Sequence, residues 1–151
     1  MTPLFKKLNY KGQPRVAVLG APESFRAEMD AMAGVAEVRE ELDGDAAFVI
    51  GFVQRREEIG ALGLRVSRAT TGDATVWIAY PKASSKRYAC DFNRDTGWET
   101  MGEHGFEPVR QVAIDEDWSA LRFRRVEHIK TMVRDFAMTE EGKAKAGRAR
   151  G

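Results

Sequence analysis

The sequence predicts a three-layer α/β fold, with a mostly parallel sheet and an antiparallel hairpin at its C-terminal edge. Three observations predict it. Short valine-rich runs alternate with segments whose apolar residues recur every three or four positions, the pattern of strands crossed by helices. The run 46–53 is apolar on both faces, as a central parallel strand is. Two segments that alternate apolar and polar residues flank Asp115, Glu116 and Asp117, which reads as a hairpin with a polar turn.

The elements follow in order. Residues 1–14 read as a lead-in, with Leu4, Phe5 and Leu8 at helical spacing and a turn from Lys11 to Pro14. Residues 15–19, bounded by Pro14 and Gly20, read as a buried strand. Phe25, Met29 and Met32 then repeat at helical spacing, with Gly34 as the stop signal. Residues 35–40 alternate weakly and form a second strand, and 46–53 a third. Ile59, Leu62 and Val66 predict a helix that opens on Arg55, Arg56, Glu57 and Glu58. Residues 75–80 form a strand ended by Pro81. Residues 82–97 are polar and aperiodic. A short helix from Trp98 to His104 stops at Gly105, and the hairpin strands 108–114 and 118–126 follow. A final helix is expected from His128 to Met138. Val49, Ile50, Val76, Ile78, Leu121 and Phe123 are the predicted core.

A length of 151 residues is about one domain. Residues 1–138 are read as a single α/β domain and 139–151, which are small and charged, as a disordered basic tail. The single cysteine, Cys90, excludes an internal disulfide, and with only His104 and His128 beside it no metal site is expected. No run approaches the ~18 apolar residues of a membrane span. The lysines near the N-terminus are not followed by the apolar stretch of a secretory leader, so a cytoplasmic location is expected, with no membrane partner. The net charge of +1 weighs against a nucleic-acid partner, because such domains are usually strongly basic.

The order from residue 46 to 124 resembles the second half of a Rossmann-like class I methyltransferase sheet, in which a hairpin closes one edge. The strings around Val76, Trp77, Tyr80, Pro81 and Lys82, and from Trp118 to Arg124, also resemble a family of short uncharacterised bacterial proteins over roughly residues 1–130. That second resemblance implies no activity, and no cofactor follows from either. The first strand–helix turn departs from a nucleotide-binding pattern. It holds one glycine, Gly20, where such a turn needs several for close backbone approach. Pro22 removes an amide there, and Glu23 places negative charge where a phosphate would sit. Neither NAD nor ATP is expected to bind at that turn.

The first candidate site is the polar stretch after Pro81. Lys82, Lys86, Arg87 and Arg94, with Ser84 and Ser85 among them, lie just past the carboxyl end of a central strand. Ligands of open α/β sheets bind at such ends. Four cations and two hydroxyls suit a phosphate, a carboxylate or a nucleic-acid backbone. The bland alternative is a solvated loop whose charge Asp91 and Asp95 neutralise. A second candidate is the strand from Trp118 to Arg125. Arg122 and Arg124 are read on opposite faces there, and an arginine pairing Asp115 or Asp117 would be structural.

Cys90 lies near Lys86 and Arg87, which would lower the pKa of its thiol, but no base is near in sequence. No nucleophile elbow, Walker loop or zinc motif is present. The leading expectation is therefore a non-catalytic domain that binds a small anionic ligand or a protein partner. A reduced methyltransferase-like enzyme is the first alternative, with a pocket beyond Gly20 and Phe52 and Glu41 or Asp43 for a ribose. A nucleic-acid-binding module that uses the 82–94 stretch and the basic tail is the second.

Overall fold

The computed structural model describes residues 1–93 and 96–129. Its strands are β1 (Arg15–Leu19), β2 (Glu37–Arg39), β3 (Phe48–Phe52), β4 (Thr75–Pro81), β5 (Phe106–Ala113) and β6 (Trp118–Arg125). They form one sheet in the order β2-β1-β3-β4-β6-β5. The first four strands in that order are parallel, and β6 and β5 are antiparallel. Among the described residues the α-helices are α1 (Pro3–Lys7), α2 (Arg26–Met32), α3 (Arg56–Ala69) and α4 (Glu99–Glu103). The expected Rossmann-like α/β fold, mostly parallel with an antiparallel hairpin at the C-terminal edge, is the fold found. The expected helix after His128 and the tail 139–151 lie outside the described residues, as does Arg94.

Side chains alternate between two apolar layers, as a pleated strand requires. Val16, Val18, Phe48, Ile50, Phe52, Trp77, Ala79, Trp118 and Ala120 face α1 and α2. Ala17, Leu19, Val49, Val76, Ile78, Leu121 and Phe123 face α3 and α4. The six predicted core residues are all buried.

The lead-in is part of this core rather than an approach to it. Thr2 caps α1 by accepting the Phe5 N–H at 3.1 Å, so Phe5 and Leu8 are held against the sheet. The Leu8 carbonyl accepts the buried Trp77 indole N–H at 2.8 Å, which satisfies a donor that would otherwise be stranded.

Arg122 and Arg124 do not project on opposite faces. Residues two apart on a strand share a face, and both arginines act on Asp73. The structural ion pair is Arg124 with Asp73, at 2.9 and 2.6 Å, and not a pair with Asp115 or Asp117. Asp115 instead closes the hairpin turn, accepting from the Asp117 and Trp118 amides.

Candidate functional site

The segment after β4 is irregular, yet it is fixed along its length. Pro81 pairs with Trp118 as the last residue of β4. One more bond follows it, from the Lys82 N–H to the Asp117 carbonyl at 2.8 Å. Ser85 donates its hydroxyl to the Asp117 carboxylate at 2.8 Å and accepts the Tyr88 N–H at 3.2 Å. The Tyr88 ring then packs on Trp118, with centroids 4.9 Å apart. The Cys90 thiol donates to the Phe92 carbonyl, and Phe92 enters the core against Tyr80 and Trp98. The Trp98 indole N–H returns to the Asn93 carbonyl at 2.8 Å. These contacts tie a chain without regular structure to β4, β6 and α4.

Beneath the segment lies an open cavity of about 930 Å³. Its volume is within the ~300–1,000 Å³ usual for small-molecule sites. The segment contributes Lys82, Ser85, Lys86, Arg87, Tyr88, Cys90 and Phe92 to its lining, and the sheet contributes Tyr80, Gln111 and Ser119. Among the described residues, none of Lys82, Lys86 and Arg87 is in an ion pair.

Of the six residues proposed from sequence, the cavity therefore gathers Lys82, Ser85, Lys86 and Arg87. Ser85 lines it but is bound to Asp117 and Tyr88, so it holds the segment in shape. Ser84 is exposed and does not line the cavity. Arg94 lies outside the described residues. Among the described residues Asp91 forms no ion pair with the lysines: its carboxylate accepts the Arg56 N–H at 2.7 Å, at the start of α3, and Asp95 lies outside the described residues. The Cys90 thiol is pushed up, not down, first by burial and then by the charges of Asp91 and Glu58, against the lowering hydrogen bond to Phe92.

Tyr80, Gln111 and Ser119 had no part in the sequence reading of the site. The Gln111 amide donates to the Tyr80 hydroxyl at 3.0 Å, and Ser119 stands opposite Tyr80 in the ladder. The signal was available only in hindsight of pairing: Tyr80 and Ser119 put polar groups on a face that their strands otherwise fill with Ile78, Leu121 and Phe123.

The first strand–helix turn is different. Gly20 has φ +67°, and a Cβ there would lie 3.2 Å from the Phe52 carbonyl oxygen. A pocket of about 260 Å³ opens beside it, lined by Gly20, Phe52, Glu58, Leu62 and Arg65. Glu58 already accepts the Gln54 and Arg55 amides, each at 2.8 Å. With Asp91 on the next amide, the protein's own carboxylates occupy the start of α3, where an anion would otherwise be drawn. Glu41 and Asp43 are not brought to this pocket. They line a narrow cleft of about 20 Å³ with Arg15 and Arg39, and Asp43 pairs with Arg39 at 2.9 Å.

No protein-family model matches the chain, and no curated protein matches it in sequence. The resemblance to a family of short bacterial proteins gains no support from either comparison. Solved structures do match in shape. A protein named as a type 11 methyltransferase, from Sulfolobus solfataricus, superposes with a TM-score of 0.52 at 10% identity, over 82% of this chain and 89% of that one. A SAM-dependent methyltransferase from Aquifex aeolicus superposes with a TM-score of 0.52 at 13% identity, over 81% and 87%. The chain shares the Rossmann-like fold of these methyltransferases. Three features of the first turn count against a nucleoside-type methyl donor. A single glycine approaches it, the pocket is small, and its one carboxylate, Glu58, is committed to backbone amides. Among the described residues no group of histidine, cysteine and carboxylates has the form of a metal site, and no described helix is long and apolar enough to cross a membrane.

Proposed function

We propose that this chain uses a methyltransferase-type sheet to bind a small organic anion in the cavity after β4. The observation that carries the reading is the set of Lys82, Lys86 and Arg87 on one cavity of about 930 Å³, each outside any ion pair among the described residues. Lysine supplies a compact charge and arginine a planar fork, and together they suit a phosphate or carboxylate. Ser85 and Tyr88 pre-shape the segment, so less ordering entropy is lost on binding.

A reduced methyltransferase-like enzyme is the second reading. The likeness in fold to the two named methyltransferases supports it over a purely non-catalytic domain. The pocket beside Gly20, at the carboxyl ends of β1 and β3, is where its donor would have to sit, and the crowding there opposes it.

A thermal-shift screen with phosphates, carboxylates and S-adenosylmethionine separates the two. An anion at 100 times its Kd should stabilise the fold by about 2.7 kcal/mol, a rise in Tm of about 5–10 °C at this chain length. The rise should vanish in Lys82→Ala/Lys86→Ala, whose own Tm should stay close to that of the parent. A rise with S-adenosylmethionine that survives the double variant would favour the enzyme. No rise with any anion would remove the first reading.

A further inference from the structure

The cavity after β4 has two chemically different walls. One wall, from the irregular segment, carries Lys82, Lys86 and Arg87. The other, from three neighbouring strands, carries the Tyr80 hydroxyl, the Gln111 carboxamide and the Ser119 hydroxyl, which are neutral donors and acceptors. Tyr88 adds aromatic surface, and Phe92, only 8% exposed, a small share of it. Tyr88 is anchored on Trp118, and Phe92 on Tyr80 and Trp98, so both rings are held in place.

A bare inorganic anion would use only the first wall and leave most of about 930 Å³ filled with water. A ligand that meets both walls needs an anionic head, a planar body with amide-like edges, and apolar faces. A mononucleotide has these parts: its phosphate suits the cations, its base edge the carboxamide and hydroxyls, and its ring the aromatic surface.

We infer that the cavity after β4 is a mononucleotide site, with phosphate toward Lys82, Lys86 and Arg87 and base toward Tyr80, Gln111 and Ser119. This inference rests on the proposed anion reading and names its ligand class. It places a nucleotide at the end of β4, away from the β1 turn, where Gly20 and Glu23 lead one to expect none. The start of α3 is not used, because Glu58 and Asp91 occupy it.

The test is calorimetric titration of the whole chain with inorganic phosphate, with four ribonucleosides, and with the four ribonucleoside 5′-monophosphates. At least one monophosphate should bind tenfold or more tightly than either phosphate or its own nucleoside. In Lys82→Ala/Lys86→Ala that monophosphate should lose about ten- to hundredfold and approach its nucleoside, since charge-assisted bonds are being removed. In Gln111→Leu it should approach inorganic phosphate while phosphate binding itself is unchanged. Circular dichroism and melting of both variants check that folding is retained. Phosphate binding with no gain from any base overturns the mononucleotide site and leaves the anion reading standing. Absence of binding by all of these probes overturns the inference, and the anion screen above then decides the broader reading separately.

Discussion

Asp73 and Arg124 are 51 positions apart in sequence and meet in a two-bond pair at the rim of the sheet. The Arg124 hydrogen bond holds the Asp73 carboxyl below its ordinary range, partly offset by burial and helped by the guanidinium charge. A carboxyl lowered in the folded state contributes stability that is complete above about pH 4. That contribution is lost as pH falls through the folded pKa. Because the pair is partly exposed and screened by solvent, its worth is about 0.2–1 kcal/mol. Asp73→Asn should lower Tm by up to about 4 °C at pH 7, and the difference from the parent should shrink towards pH 3. A Tm difference that grows on acidification would contradict this assignment.

Burial is the simpler case at the same scale. Val49 is fully buried between Val76 and the α3 side chains. Val49→Asp would strand a charge there at a cost of several kcal/mol, out of a total of ~5–15. Far-UV circular dichroism at 25 °C should show loss of the fold, and a cooperative melt at the parent Tm would refute the strand assignment. Val49 was legible in the sequence because its neighbours on both sides of the chain are apolar. The partner of Arg124 was not, because nothing local marks which of many carboxylates a distant fold brings near.

Among the elements, α3 was legible from Ile59, Leu62 and Val66, which it buries together with Gly63. What begins the helix was only half legible. Glu58 sits at the usual position to reach back to the amides before it. Asp91, which caps the Arg56 amide, comes from a segment 35 residues away. That one contact joins the helix start to the irregular segment after β4. Asp91→Ala should cost about 0.5–2 kcal/mol in chemical denaturation. It should also raise hydrogen exchange in 86–93 more than in α1, because the segment loses its tether. Equal exchange in both places would show that Asp91 caps the helix without holding the segment. The helical spacing of Leu4, Phe5 and Leu8 was legible inside a segment read as a lead-in, but not the bond from the Leu8 carbonyl to Trp77, which depends on where β4 passes.

At the scale of the whole molecule, alternation and turn residues were enough to give the sheet and its antiparallel edge. The site was legible only on one side. Lys82, Lys86 and Arg87 stand together in the sequence and stay together in the fold. Tyr80, Gln111 and Ser119 come from β4, β5 and β6, and only strand pairing makes them one wall. The account's central claim is that this sheet binds its ligand after β4 and not at the β1 turn. The most direct measurement is a ¹⁵N–¹H spectrum of the chain titrated with inorganic phosphate. Saturating shifts should appear in the amides of 82–93, while those of 20–25 and 54–58 stay unmoved. Shifts confined to 20–25 and 54–58 would contradict the claim and return the ligand to the turn that Gly20 begins.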